Sequence, residues 1–252
     1  MKTKLLLLFA VSWALSSSAQ TTILVSIVQN NMVYHSLSDD NVKYIPLSSN
    51  IFSSEKPRSI DYDPDNCIYY VVTNFRSKPK LYTITPNGEV NLVGLISASD
   101  GRSFYSCEAI AYSTYNKKTY ISVSFPNRDY YTETIAEIDV TNAQFTTVTT
   151  VKTNLPHPSD ADFMECHDSL LLFSDNDASP SYTTLYAFDL NTLNAASKEI
   201  SLYYDNSFMN FQELTVINDT VFVEEAKKLY AMDLNVPTKS FKYVKDLNYT
   251  GF

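Results

Sequence analysis

Three carboxylates and one arginine recur at matching points of this chain. Arg58, Glu108, Asp160 and Glu213 stand at intervals of 50, 52 and 53 residues, each ahead of a short run of small or apolar residues. If those runs converge, the carboxylates raise one another's pKa unless Arg58 or a bound cation neutralises them. Hard oxygen ligands suit Ca²⁺, which takes roughly six to eight of them. Glu108, Asp160 and Glu213 are therefore candidate metal ligands, with Arg58 as the fourth member of the ring. The competing reading, which one residue per repeat does little to displace, is a polar funnel paired by Arg58. No catalytic residue is assigned. Gly-x-Ser-x-Gly, His-Glu-x-x-His, Cys-x-x-Cys, phosphate loops and dinucleotide fingerprints are all absent, and His35, His157 and His167 sit in no motif.

The elements that would gather these residues are short strands. Residues 58–96 read as four in a row: Ser59–Tyr62, Cys67–Thr73, Lys80–Ile84 and Glu89–Leu95. β-Branched and aromatic residues fill them, and Asp, Pro, Asn and Gly punctuate them. Three further copies follow, with first strands expected at Glu108–Tyr112, Asp160–Met164 and Glu213–Ile217. The third strands echo one another as KLYTITPN, TIAEIDVTN, TLYAFDLNT and KLYAMDLNV. A period near 50 with four strands per unit is the mark of an all-β propeller of four-stranded antiparallel blades. The N-terminal strands Ile23–Val28, Met32–Leu37 and Val42–Leu47 make a blade without an inner strand. Five blades are expected, with the tail LNYTGF completing the first; a shortened six-bladed relative is the alternative.

The stretch IDYDPDNCIYYVVTN followed by KLYTITPNGEV resembles the YWTD-type blade of the low-density-lipoprotein-receptor propellers, and more loosely NHL and gluconolactonase-like blades. The Tyr-Trp-Thr-Asp of that family is here Tyr69-Tyr70-Val71-Val72, and four glycines are few for such blades. The likeness implies a fold rather than a ligand. Its gluconolactonase-like branch holds a metal with acidic and amide side chains near the axis, which would fall here to Glu108, Asp160 and Glu213.

The first 19 residues carry Lys2 and Lys4, an apolar run too short to span a bilayer and small residues at Ser17 and Ala19. They read as a secretory signal peptide cut after Ala19, leaving 20–252 as one domain. Cleavage takes the formal charge from −9 to −11, which disfavours nucleic acid and anionic membranes as partners. It also removes Trp13, the sole tryptophan. Cys67, Cys107 and Cys166 allow at most one internal bridge, so an unpaired thiol could join another chain. Asn218 and Asn248 lie in glycosylation triplets.

A binding face is the second candidate site. Loops between second and third strands, at 75–79, 126–133 and 176–182, share the face of the channel mouth and carry Phe75, Arg128, Tyr130, Tyr131 and Tyr182. The expectation is a secreted, extracellular, non-enzymatic propeller that binds a protein or glycan through this face. A metal-dependent lactonase-like hydrolase and a structural matrix component are the rivals.

Overall fold

The computed structural model describes residues 9–12, 22–39, 41–73, 78–126, 131–151, 161–179, 182–193, 198–203, 214–217, 219–225, 228–235 and 241–247. They form five small antiparallel sheets arranged as a five-bladed β-propeller. Blade one is β1 (Phe9–Ser12), β2 (Thr22–Val28), β3 (Asn31–Ser36) and β4 (Val42–Pro46). Blade two is β5 (Pro57–Asp63), β6 (Ile68–Thr73), β7 (Lys80–Ile84) and β8 (Val90–Leu95). The two-residue β9 (Ser97–Ala98) then precedes blade three: β10 (Ser106–Ser113), β11 (Lys118–Pro126), β12 (Tyr131–Asp139) and β13 (Gln144–Thr150). Blade four holds β14 (Ala161–His167), β15 (Leu170–Ser179), β16 (Tyr182–Asp189) and β17 (Lys198–Tyr203). Blade five holds β18 (Leu214–Ile217), β19 (Thr220–Glu225), β20 (Lys228–Asp233) and β21 (Lys242–Asp246).

The first strand of each blade lies innermost. Contacts run β1 to β5, β5 to β10, β10 to β14, β14 to β18 and β18 back to β1, which closes the ring. From each outer strand to the next inner one the chain spends ten residues, 47–56, 96–105, 151–160 and 204–213. That constancy reflects one repeated distance, from the rim of a blade to the axis of the next. The expected tail LNYTGF is not the strand that completes blade one. That place belongs to Phe9–Ser12, paired from Phe9↔Val25 to Ser12↔Thr22, in residues read above as leader; residues 248–252 lie outside the described residues.

A blade has two faces to bury, and the seams between blades bury them. Val25, Ile60, Val71 and Tyr82 fill the seam of blades one and two; Val72, Ile110, Val123 and Phe145 fill the next. Ala109, Leu171 and Phe173 fill the third, Phe163, Val221 and Val223 the fourth. Leu24, Ile217 and Leu229 close the fifth. Middle strands are therefore apolar on both faces, as in IYYVVT of β6, while the outer strands β8 and β21 are largely open to solvent.

Bulges recur at fixed points. The inner strands shift register at Arg58, between Cys107 and Ile110, and between Ala161 and Phe163. The outer strands shift at Val93, Val148 and Val244. The repeated aspartates end third strands and cap the following turns. Asp139 accepts from Thr141 N at 2.8 Å, Asp189 from Asn191 N at 2.9 Å and Asp233 from Asn235 N at 2.8 Å. Blade two uses Gly88 there instead. At φ +85° a side chain is strained, and a Cβ would stand 2.3 Å from the Pro46 carbonyl oxygen of blade one.

Candidate functional site

Arg58 and Glu108 do meet. Both occupy inner-strand bulges, five residues before the end of β5 and of β10, and the bulge turns each toward the other across the blade boundary. Arg58 Nη2 lies 3.5 Å from Glu108 Oε2, and Ser106 Oγ donates to Glu108 Oε1 at 2.8 Å. The Glu108 side chain is 0 % exposed and that of Arg58 23 % exposed, so the arginine covers the carboxylate from the channel side. Asp160 and Glu213 lie outside the described residues. By register the counterpart of Glu108 in β14 is Asp162, also five residues before its strand ends.

At Glu108 the carboxylate oxygens are met by groups of the chain itself, Oε2 by the Arg58 guanidinium and Oε1 by the Ser106 hydroxyl. Among the described residues no three His, Cys, Asp or Glu side chains are grouped to hold a metal.

Two channel carboxylates escaped the sequence reading. Asp61 of β5 and Glu165 of β14 each sit two residues before the end of an inner strand. Asp61 Oδ2 accepts from Tyr112 N of β10 at 2.5 Å, and Glu165 Oε2 accepts from Val216 N of β18 at 2.8 Å. Each thus ties its blade to the next one, as Ser59 Oγ does by accepting from Ile110 N at 3.1 Å. Burial pushes the Asp61 carboxyl up to about 7, against the opposing pull of the Tyr112 and Tyr62 N–H groups. Burial, and then the charge of Asp61, pushes Glu165 well above the carboxylate range. The signal was a polar residue inside the apolar runs SIDY and FMEC. Nothing in their sequence spacing distinguished them from ordinary strand residues.

The three thiols are unbridged: Cys67 exposed, Cys107 buried and Cys166 half-buried. Burial raises the Cys107 thiol, helped by Glu108 and Glu133, and likewise Cys166, helped by Asp61 and Glu165. His35 is buried in β3, and His167 Nε2 stands 3.0 Å from Asp219 Oδ1.

Of the binding-face residues, Phe75, Arg128 and Tyr130 lie outside the described residues, while Tyr131 and Tyr182 begin β12 and β16. The described part of that face contains a hollow of about 400 Å³ beside the start of β7. Pro79, Leu95, Ile96 and Phe104 give it apolar walls, and Lys78 and Arg102 give it positive charge. Arg102 is held by Asp100 at 2.6 Å and Thr147 at 3.1 Å, and its guanidinium carbon lies 4.7 Å from the Phe125 ring centre. The opposite face carries a wider cleft of about 850 Å³ between blades two and three. Two ion pairs cross it, Lys117 with Asp65 and Lys118 with Glu137, both at 2.7 Å, and Asp63 and Asp139 add two further carboxylates to its lining.

Asn218 and Asn248 also lie outside the described residues, although Asn218 falls within the two-residue connection of β18 and β19. Among the described residues no helix is long and apolar enough to cross a membrane.

No family model and no curated protein matches the sequence. Solved structures match in shape. A GH43 glycoside hydrolase engineered for endo-xylanase and exo-arabinofuranosidase activity superposes with a TM-score of 0.58 at 12 % identity, covering 96 % of this chain and 52 % of its own. Hydrazine synthase of Kuenenia stuttgartiensis matches at 0.48 and 12 %, over 90 % of this chain and 64 % of that one. The allergen Mala s 1 of Malassezia sympodialis matches at 0.48 and 9 %, over 92 % and 77 %. This chain thus spans about half the length of the hydrolase, and what they share is the propeller.

Proposed function

We propose that this is a secreted, non-enzymatic propeller, remotely related to YWTD, NHL and gluconolactonase-like blades, that binds a protein or glycan through its loop-bearing face. The observation that carries the reading is the hollow at Lys78, Leu95 and Arg102. Its volume falls in the range of ligand pockets, and its walls are apolar with a few fixed polar groups. Cationic and hydroxyl groups set among apolar walls, Lys78, Arg102, Ser103 and Tyr105 beside Leu95 and Phe104, suit recognition of a protein or glycan surface.

The lactonase-like alternative needs Glu108 as a metal ligand, and Arg58 and Ser106 already occupy that side chain. The test is a glycan array and a set of extracellular proteins probed with wild type and Leu95→Asp. Leu95 is 54 % exposed, so its replacement leaves the melting temperature within a few degrees while abolishing the bound signal. Binding that survives Leu95→Asp, or metal-dependent lactone hydrolysis by the wild type, would overturn the reading.

A further inference from the structure

We propose that the inner edge of β2 is a strand-accepting site, which in the mature protein takes up an extended apolar peptide from a partner protein. The inference rests on removal of the leader, as proposed above. In the structure Phe9–Ser12 fills the site, antiparallel to Thr22–Val25 over four residue pairs, and touches β5 on one side and β18 on the other.

That strand is attached unlike its counterparts. The other four inner strands reach their second strands through two or four residues, 64–67, 114–117, 168–169 and 218–219. For β1 the connection is nine residues long, 13–21, and it contains the Ala19–Gln20 junction where cleavage is expected. Cutting there frees β1 from the rest of the ring, whereas no other inner strand can be lost by a single cut outside the blades.

Loss of β1 leaves a defined slot. Backbone groups along a strand point alternately to either neighbour, so two of the four residues Thr22–Val25 lose partners for both N–H and C=O. Beside that edge, Leu24 is buried with Ile217 and Leu229, and Val25 is buried with Ile60. A groove floored by unpaired backbone and bordered by apolar seams selects its occupant. The peptide must be extended, antiparallel to β2, free of proline, and uncharged over at least four residues.

The test compares the full chain with a chain beginning at Gln20. The probe is a fluorescent synthetic peptide of residues 7–14, LLFAVSWA, flanked by lysines for solubility. It should bind the shortened chain saturably, slow hydrogen exchange at Thr22–Val25, and bind the full chain at least tenfold more weakly. A probe with Val11→Pro should fail. If the shortened chain does not fold, a specific protease site placed within 13–21 allows β1 to be cut after folding, and the probe should then exchange into the ring.

Equal binding to both chains, or none to the shortened or cut one, overturns the proposal. So does binding that appears only after residues 247–252 are deleted, which would make the protein's own tail the occupant. The leader reading is checked separately by intact mass. A secreted chain that retains residues 9–12 refutes that reading and leaves the slot filled in cis.

Discussion

Arg58 reaches from the bulge of one inner strand to Glu108 in the bulge of the next, 3.5 Å away, so one ion pair bridges blades two and three beside the channel. Because Glu108 is fully enclosed, removing its partner strands a buried charge, a change that typically costs about 3–5 kcal/mol. Arg58→Ala should therefore lower the melting temperature markedly at neutral pH and less in acid, where a proton can replace the guanidinium. Adding Glu108→Gln to that variant should restore most of the loss. Calcium should leave the wild-type melt unchanged, and a calcium-dependent rise that Glu108→Gln abolishes would restore the metal reading.

Asp61 yields a pH dependence of definite sign. Its folded pKa, about 7, lies above the ordinary 3.8, so the folded protein holds the proton more tightly than the unfolded chain. The stability linked to that proton is complete below about pH 4 and is lost as the pH rises through 7. Asp61→Asn keeps an oxygen acceptor for Tyr112 N, gives up the one that Tyr62 N uses, and removes the titration. It should flatten the pH 4–7 slope and, at pH 8, stabilise the protein by roughly 2 kcal/mol, read from urea melts. A wild type equally stable at pH 5 and pH 8 would contradict this.

Gly88 joins blades one and two through its carbonyl, which accepts from Ser48 N at 2.8 Å. Gly88→Ala places a methyl against the Pro46 carbonyl at a positive φ, and should cost about 2–4 kcal/mol. Gly101 has φ +75° with open space around it, so Gly101→Ala should cost clearly less. The two denaturation curves compared side by side separate the seam clash from backbone strain.

Protein secreted from eukaryotic cells should begin at Gln20 and carry a glycan at Asn218 that Asn218→Gln removes. Intact mass before and after the substitution decides both points. A chain still carrying residues 1–19 would count against the leader.

The blades were legible because their signals are local. Alternation, β-branched runs and turn aspartates such as Asp139 and Asp189 report on neighbours a few residues away, and the structure uses them in that way. The channel was only partly legible. Arg58 and Glu108 share a register, but connections of four residues in blades two and three shrink to two in blade four. Counting by sequence interval consequently reached Asp160, whereas counting back from the strand end reaches Asp162. Asp61 and Glu165 were hidden for another reason. Their role is to accept an N–H from the following blade, a contact about 51 residues away that no local pattern announces. The apolar composition of Phe9–Ser12 serves a signal peptide and an inner strand equally well, so composition alone does not separate the two.

The two residues Ser97 and Ala98 lie parallel to the outer edge of β13, so the chain leaving blade two becomes the outermost strand of blade three. Ser97 N bonds the Ala143 carbonyl at 3.1 Å, and Ser99 N bonds that of Phe145 at 2.8 Å. Under mechanical load, tension on the linker would be carried sideways into a whole sheet before it reached the hydrophobic seam. Blades two and three would resist being peeled apart as two stitched panels do, through the thread at the rim.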